Sequence, residues 1–95
     1  MNDARQSETI LIVEDSQTQA LQLQNLLMQH GYGVEIAENG SEGLAIIRSV
    51  MPSLIIADIV MPGMDGYQLC STIRADEAIK DIPVMLAATT TMGTN

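Results

Sequence analysis

The chain has 95 residues, enough for one domain, and 46% of them are apolar, so it is neither disordered by composition nor fibrous. Four bases (Arg5, Arg48, Arg74, Lys80) face twelve acids for a net charge of −8, which leaves no basic cluster for nucleic acid or for an anionic membrane surface. No apolar run approaches the roughly 20 residues that span a bilayer, the polar start Met1–Glu8 is no secretory signal, and the single Cys70 fits a reducing, cytoplasmic setting.

Thr9–Val13 is a short apolar run, read as a buried strand. Ser16 opens a helix, and Gln19 three residues on completes a capping-box pattern. Ala20, Leu23, Leu27 and His30, with Leu26 beside them, share one face, and Gly31 is the stop. Gly33–Ala37 is a second strand. Asn39 and Glu42 repeat the capping logic, Leu44, Ile47 and Met51 share a face, and Pro52 ends the second helix. Leu54–Ala57 is a third strand, and Met61–Gly66 a loop broken by Pro62, Gly63 and Gly66. Gln68–Arg74 is helical with Leu69 and Ile73 at i, i+4, Asp76–Asp81 is a connector, and Ile82–Ala87 is a fourth strand. Thr89–Asn95 carries no clear signal.

Apolar strands alternating with helices predict an α/β fold, a doubly wound parallel sheet with helices on both faces. In such a sheet, ligands bind beyond the carboxyl ends of the strands. Glu14 and Asp15 follow the first strand there, and Asp58 ends the third. Clustered carboxylates repel unless a cation or protons neutralise them. Hard oxygen ligands suit Mg²⁺ or Mn²⁺, and Mg²⁺ commonly pairs one or two carboxylates with a phosphate. The trio is thus a candidate phosphoryl-transfer centre, and a carboxylate can itself be the nucleophile.

Two stretches carry a resemblance. Ile10-Leu11-Ile12-Val13-Glu14-Asp15-Ser16 resembles the opening strand and acidic pair of bacterial receiver domains, the phosphoacceptor modules of two-component response regulators. Asp58-Ile59-Val60-Met61-Pro62-Gly63-Met64-Asp65-Gly66 is similar to their phosphorylation loop. The likeness runs from about Thr9 to Ala87. It implies a flavodoxin-like sheet and Asp58 as phosphoacceptor. It implies Asp15 as direct Mg²⁺ ligand, Glu14 as a water-mediated one, and Asp58 and the Val60 backbone carbonyl as further ligands. It implies a sensor histidine kinase or a phosphotransfer protein as phosphoryl donor, and a signalling module rather than a metabolic enzyme.

Several family features are missing. The fold is expected to be incomplete, with four strands and three helices. The fifth strand and last two helices are absent, along with the lysine that in the family pairs with the phosphoryl group. Lys80, Arg48 and Arg74 fall toward the opposite end of the sheet, and Arg5 lies in the tail. With phospho-Asp58 at about −2, Glu14 and Asp15 at −1 each and one Mg²⁺, the site keeps a formal charge of about −2. The position of the family's switch hydroxyl falls on Ala88; Thr89 stands one residue late and needs a bulge to point inward. The chain is accordingly read as a C-terminally truncated receiver: residues 1–8 a polar tail, 9–88 a partial receiver domain, 89–95 a short tail.

Glu14 and Asp15 also suit a helix N-terminus. Asp65 reads as a loop or N-cap residue, Cys70 as packing, His30 as a partner of helix-end carbonyls, and the methionines as filler. No glycine-rich phosphate loop is present. The leading function is a phosphoacceptor. The alternative is a non-switching fragment that binds a divalent ion and forms a homodimer or strand-swapped dimer through the exposed edge of strand four. A flavin binder is disfavoured, because the acidic pair repels a flavin phosphate.

Overall fold

A computed structural model describes residues 8–88. Along that span β1 (Thr9–Val13), α1 (Gln17–Gln29), β2 (Gly33–Ala37), α2 (Gly40–Val50), β3 (Leu54–Asp58), α3 (Gly66–Arg74) and β4 (Val84–Ala87) follow one another. The strands form one parallel sheet in the order β2-β1-β3-β4. The chain leaves β1 toward β2 on one side and returns past it to β3 and β4 on the other. Right-handed crossovers therefore set α1 on one face and α2 and α3 on the other.

The core is lopsided. Leu11 and Val13 of β1, Ala37 of β2, and Ile55 and Ala57 of β3 alternate onto one face. There they pack with Ile47 of α2 and with Leu69 and Ile73 of α3 into a buried cluster that Met61 and Ile79 close. On the other face α1 covers β1 and β2, burying Ile10, Ile12 and Ala20. It does not reach β4. Leu26 of α1 and Met85 of β4 are each 52% exposed. Beside Leu26 runs a groove of about 380 Å³ lined also by Ile12, Leu23, Ile56 and Ala87.

The helix boundaries follow their caps, with three departures from expectation. First, Ser16 accepts from the Gln19 amide, but the reciprocal half of the capping box is not made, because the Ser16 amide donates to Glu14 Oε2 instead. Second, the full reciprocal box belongs to α3: Asp65 accepts from the Gln68 amide and Gln68 Oε1 accepts from the Asp65 amide. This starts α3 at Gly66, two residues before the expected Gln68. Third, Met51 is not on the buried face of α2. It is the exposed left-handed C-cap, φ 52°, and Gly40 and Gly43 are buried on that helix alongside Ile47. Asp58 adds one residue to β3, whereas β4 begins only at Val84, so Ile82 and Pro83 precede it. Gly31, φ 91°, stops α1 as read from the sequence.

Candidate metal and phosphoryl-transfer site

Register assembles the site. Val13 and Ala57 are partners in the β1–β3 ladder, so the next residues, Glu14 and Asp58, stand level on adjacent strands at the carboxyl end of the sheet. This is also the point where the strand order reverses, the usual ligand position in an open α/β sheet. Alternation turns both away from the α2/α3 core. Glu14 is 6% exposed and Asp58 2%, and both line the acidic end of the groove beside α1. Asp15, from the turn into α1, is exposed.

Carboxylate oxygens of Glu14, Asp15 and Asp58 all lie within 4.8 Å of one another. Backbone and side-chain bonds hold Glu14 and Asp58 in place. The Glu14 amide donates to Ala37 O (2.9 Å), which extends the β1–β2 ladder one residue past the strand. Its Oε2 accepts from the Ser16 amide (3.0 Å). Asp58 Oδ1 accepts from the Val60 amide (3.2 Å), fixing the carboxylate against its own loop. The Ile59 amide donates to Ala87 O (2.9 Å), and Ile59 O accepts from the Gly66 amide (3.1 Å). The loop that follows Asp58 is thereby tied to β4 and to the start of α3.

Three carboxylates this close, two of them buried, suit a hard divalent cation of the Mg²⁺ type, whose ligands are oxygens. The described bases are engaged elsewhere. Arg48 pairs with Asp76 (3.0 Å), Lys80 with Glu77 (3.2 Å), and Arg74 donates to the carbonyls of Lys80 and Ile82. This agrees with the placement read from the sequence. Asp76 has a shifted titration. The Ala78 amide and then the Arg48 guanidinium hold its carboxyl below the usual range, and partial burial opposes them. Thr89, the candidate switch hydroxyl, and Arg5 lie outside the described residues. Among the described residues, no helix is long and apolar enough to cross a membrane.

In the sequence Gly66 marks only a loop break, Met64 is only part of the loop motif, and Gly40 carries no signal of contact. Met64 lies directly on Gly40, and Gly66 on the Asp58 carbonyl, close approaches that no sequence pattern encodes.

The chain matches known proteins over nearly its whole length. The family model described as "Response regulator receiver domain" matches residues 10–94. Protein PilH of Pseudomonas aeruginosa is 41% identical over 80 residues, 84% of this chain and 66% of that protein. Histidine kinase P4 of Formosa agariphila is 44% identical over 82 residues, 86% of this chain but 6% of that protein. Among solved structures, the signal receiver domain of a signal transduction histidine kinase from Syntrophus aciditrophicus superposes with a TM-score of 0.80 at 44% identity. That likeness covers 83% of this chain and 60% of the other. The chain thus spans less than two thirds of the length of PilH and of that receiver domain.

Proposed function

The chain belongs to the response regulator receiver domain family, and on that premise we propose that it is a phosphoacceptor of a two-component relay, phosphorylated on Asp58. The observation that carries the proposal is the mutual approach of Glu14, Asp15 and Asp58 within 4.8 Å at the carboxyl edge of the sheet. The module is residues 9–88, with residues 1–8 and 89–95 as tails.

In this reading Asp58 is the nucleophile. One of its carboxylate oxygens attacks the phosphorus of a phosphohistidine on a sensor kinase or phosphotransfer protein. The P–N bond breaks as the new P–O bond forms. The departing imidazole nitrogen keeps the electron pair and is protonated. The Val60 amide on Oδ1 restrains the carboxylate's rotation, which favours attack from one direction. Asp15 would be the direct Mg²⁺ ligand and Glu14 the water-mediated one, and Asp58 and the Val60 carbonyl would complete the protein's set; Mn²⁺ suits the same oxygens. A cation held there would offset the charge that develops on the transferring phosphoryl oxygens. Glu14, held by the Ser16 amide, keeps its carboxylate turned to the cluster. The chain acts as a signalling acceptor in the cytoplasm and not as a metabolic enzyme.

Incubation with a small-molecule phosphoryl donor tests this. Intact mass is expected to rise by one phosphoryl group with Mg²⁺ present, and not after chelation or in Asp58→Asn. Incorporation that survives Asp58→Asn would overturn it.

One observation favours the second reading, a cation-holding fragment that pairs through its edge. β4 is uncharged along Val84–Ala87, and within it Met85 is exposed. An outer strand without charges is prone to pair with another strand. A second copy adding along β4 would appear as a concentration-dependent dimer in sedimentation, with Mg²⁺ binding but no phosphoryl uptake. A monomer at high concentration would dismiss it.

A further inference from the structure

We propose that Gly66 is a positioning residue for Asp58, setting the direction from which the carboxylate enters the acid cluster. The inference rests on the reading of that cluster as a Mg²⁺ site.

The contact is one of space. A Cβ built on Gly66 would stand 2.6 Å from the Asp58 carbonyl oxygen, 3.0 Å from the Ile59 Cα and 3.1 Å from the Asp58 carbonyl carbon. All three are backbone atoms and have no rotamer to escape into. Gly66 does not have a positive φ, so its backbone conformation does not demand glycine. Alanine is the better helix former at most positions. Glycine at the first position of α3 therefore answers to the close approach and not to the helix.

The consequence reaches the carboxylate. Asp58 is tied to the loop that follows it. Its Oδ1 accepts from the Val60 amide, and Ile59, which links it to Val60, gives its carbonyl oxygen to the Gly66 amide. The start of α3 is itself pinned by the Asp65–Gln68 box. Helix start, loop and Asp58 backbone thus form one packed unit. Adding a methyl group at residue 66 requires a retreat of about 0.8 Å to reach ordinary contact distance. Either α3 lifts away or the Asp58–Ile59 peptide moves. Mg²⁺ tolerates little departure from octahedral geometry, and misplacement near 1 Å can cost about 100-fold in reaction rate.

Mg²⁺ titration followed by amide shifts of Asp15 and Val60 tests this with the metal alone as probe. Gly66→Ala is expected to bind Mg²⁺ at least tenfold more weakly while keeping its fold by circular dichroism. Ile73→Val, which loosens the far end of α3, is expected to lower the melting temperature and leave Mg²⁺ affinity unchanged. If Gly66→Ala does not fold, Asp65→Ala releases the first turn of α3 without adding an atom. It is expected to bind Mg²⁺ at least threefold more weakly than Asp65→Asn, which removes the same charge but keeps the cap. Unchanged affinity in Gly66→Ala would overturn the proposal. So would an equal loss in Ile73→Val, or, where Asp65→Ala serves, equal affinities of the two Asp65 variants. No Mg²⁺ binding by the unaltered chain would instead overturn the metal reading, and the positioning role would fall with it.

Discussion

Glu14 and Asp58 stand level on neighbouring parallel strands because the residues before them, Val13 and Ala57, are register partners. Their carboxylates are brought together by the ladder and not by any attraction between them. Asp15 joins them within 4.8 Å, so the fold holds three like charges at one edge. Without a cation that arrangement opposes folding; with one it becomes a binding site.

Asp58→Asn removes one of the repelling charges. In the absence of divalent ions the variant is expected to be more stable than the unaltered chain, on the order of 1 kcal/mol. Mg²⁺ should then raise its melting temperature less than it raises that of the unaltered chain. Thermal melts with and without Mg²⁺ check both differences. A variant stabilised by Mg²⁺ as strongly as the unaltered chain would remove Asp58 from the site.

The two sheet faces should respond differently to truncation. Ile73 is fully buried in the cluster beneath α2 and α3, and Ile73→Ala is expected to cost about 2–5 kcal/mol. Leu26 is half-exposed on α1 beside the open groove, and Leu26→Ala is expected to stay within about 0.5 kcal/mol. Urea denaturation of the two variants measures the asymmetry. A large loss at Leu26 would mean that the groove is covered in solution.

Asp76 supplies a pH dependence. The Ala78 amide and the Arg48 guanidinium hold its folded carboxyl below the ordinary value, so the unfolded chain takes up the proton first. The stabilisation is therefore full above the unfolded value near 3.9 and is lost as pH falls from there through the lower folded value. Asp76→Asn is expected to flatten stability against pH within that acid window and to leave the slope between pH 6 and 8 alone. Urea midpoints across pH 2.5–5 would show the change, and an unaltered acid limb would contradict it.

The ends of the strands were the legible part of the site. Thr9–Val13 and Leu54–Ala57 are apolar runs that stop at acids, and the parallel order follows from the alternation with helices. Glu14, Asp15 and Asp58 therefore fall at one edge of the sheet on the sequence pattern alone. Capping was only partly legible. Ser16 and Gln19 have the spacing of a box, but Glu14 reaches the Ser16 amide first. Asp65 and Gln68 have the same spacing and do form the box, hidden in a stretch that Pro62, Gly63 and Gly66 mark as loop. Met51 has the spacing of a buried residue but sits where α2 has already ended. The contacts of Gly66 with Asp58 and of Met64 with Gly40 were not legible at all, because they join segments whose distance only the folded chain defines.

Asp58, and neither of its two acidic neighbours, is the proposed acceptor of the phosphoryl group. Hydride reduction converts an acyl phosphate on aspartate into homoserine, which marks the residue permanently. After phosphorylation in Mg²⁺, reduction and peptide mapping, the account predicts homoserine at position 58, with Glu14 and Asp15 intact. Reduction at Glu14 or Asp15, or a phosphoryl group retained on a residue outside the cluster, would contradict it.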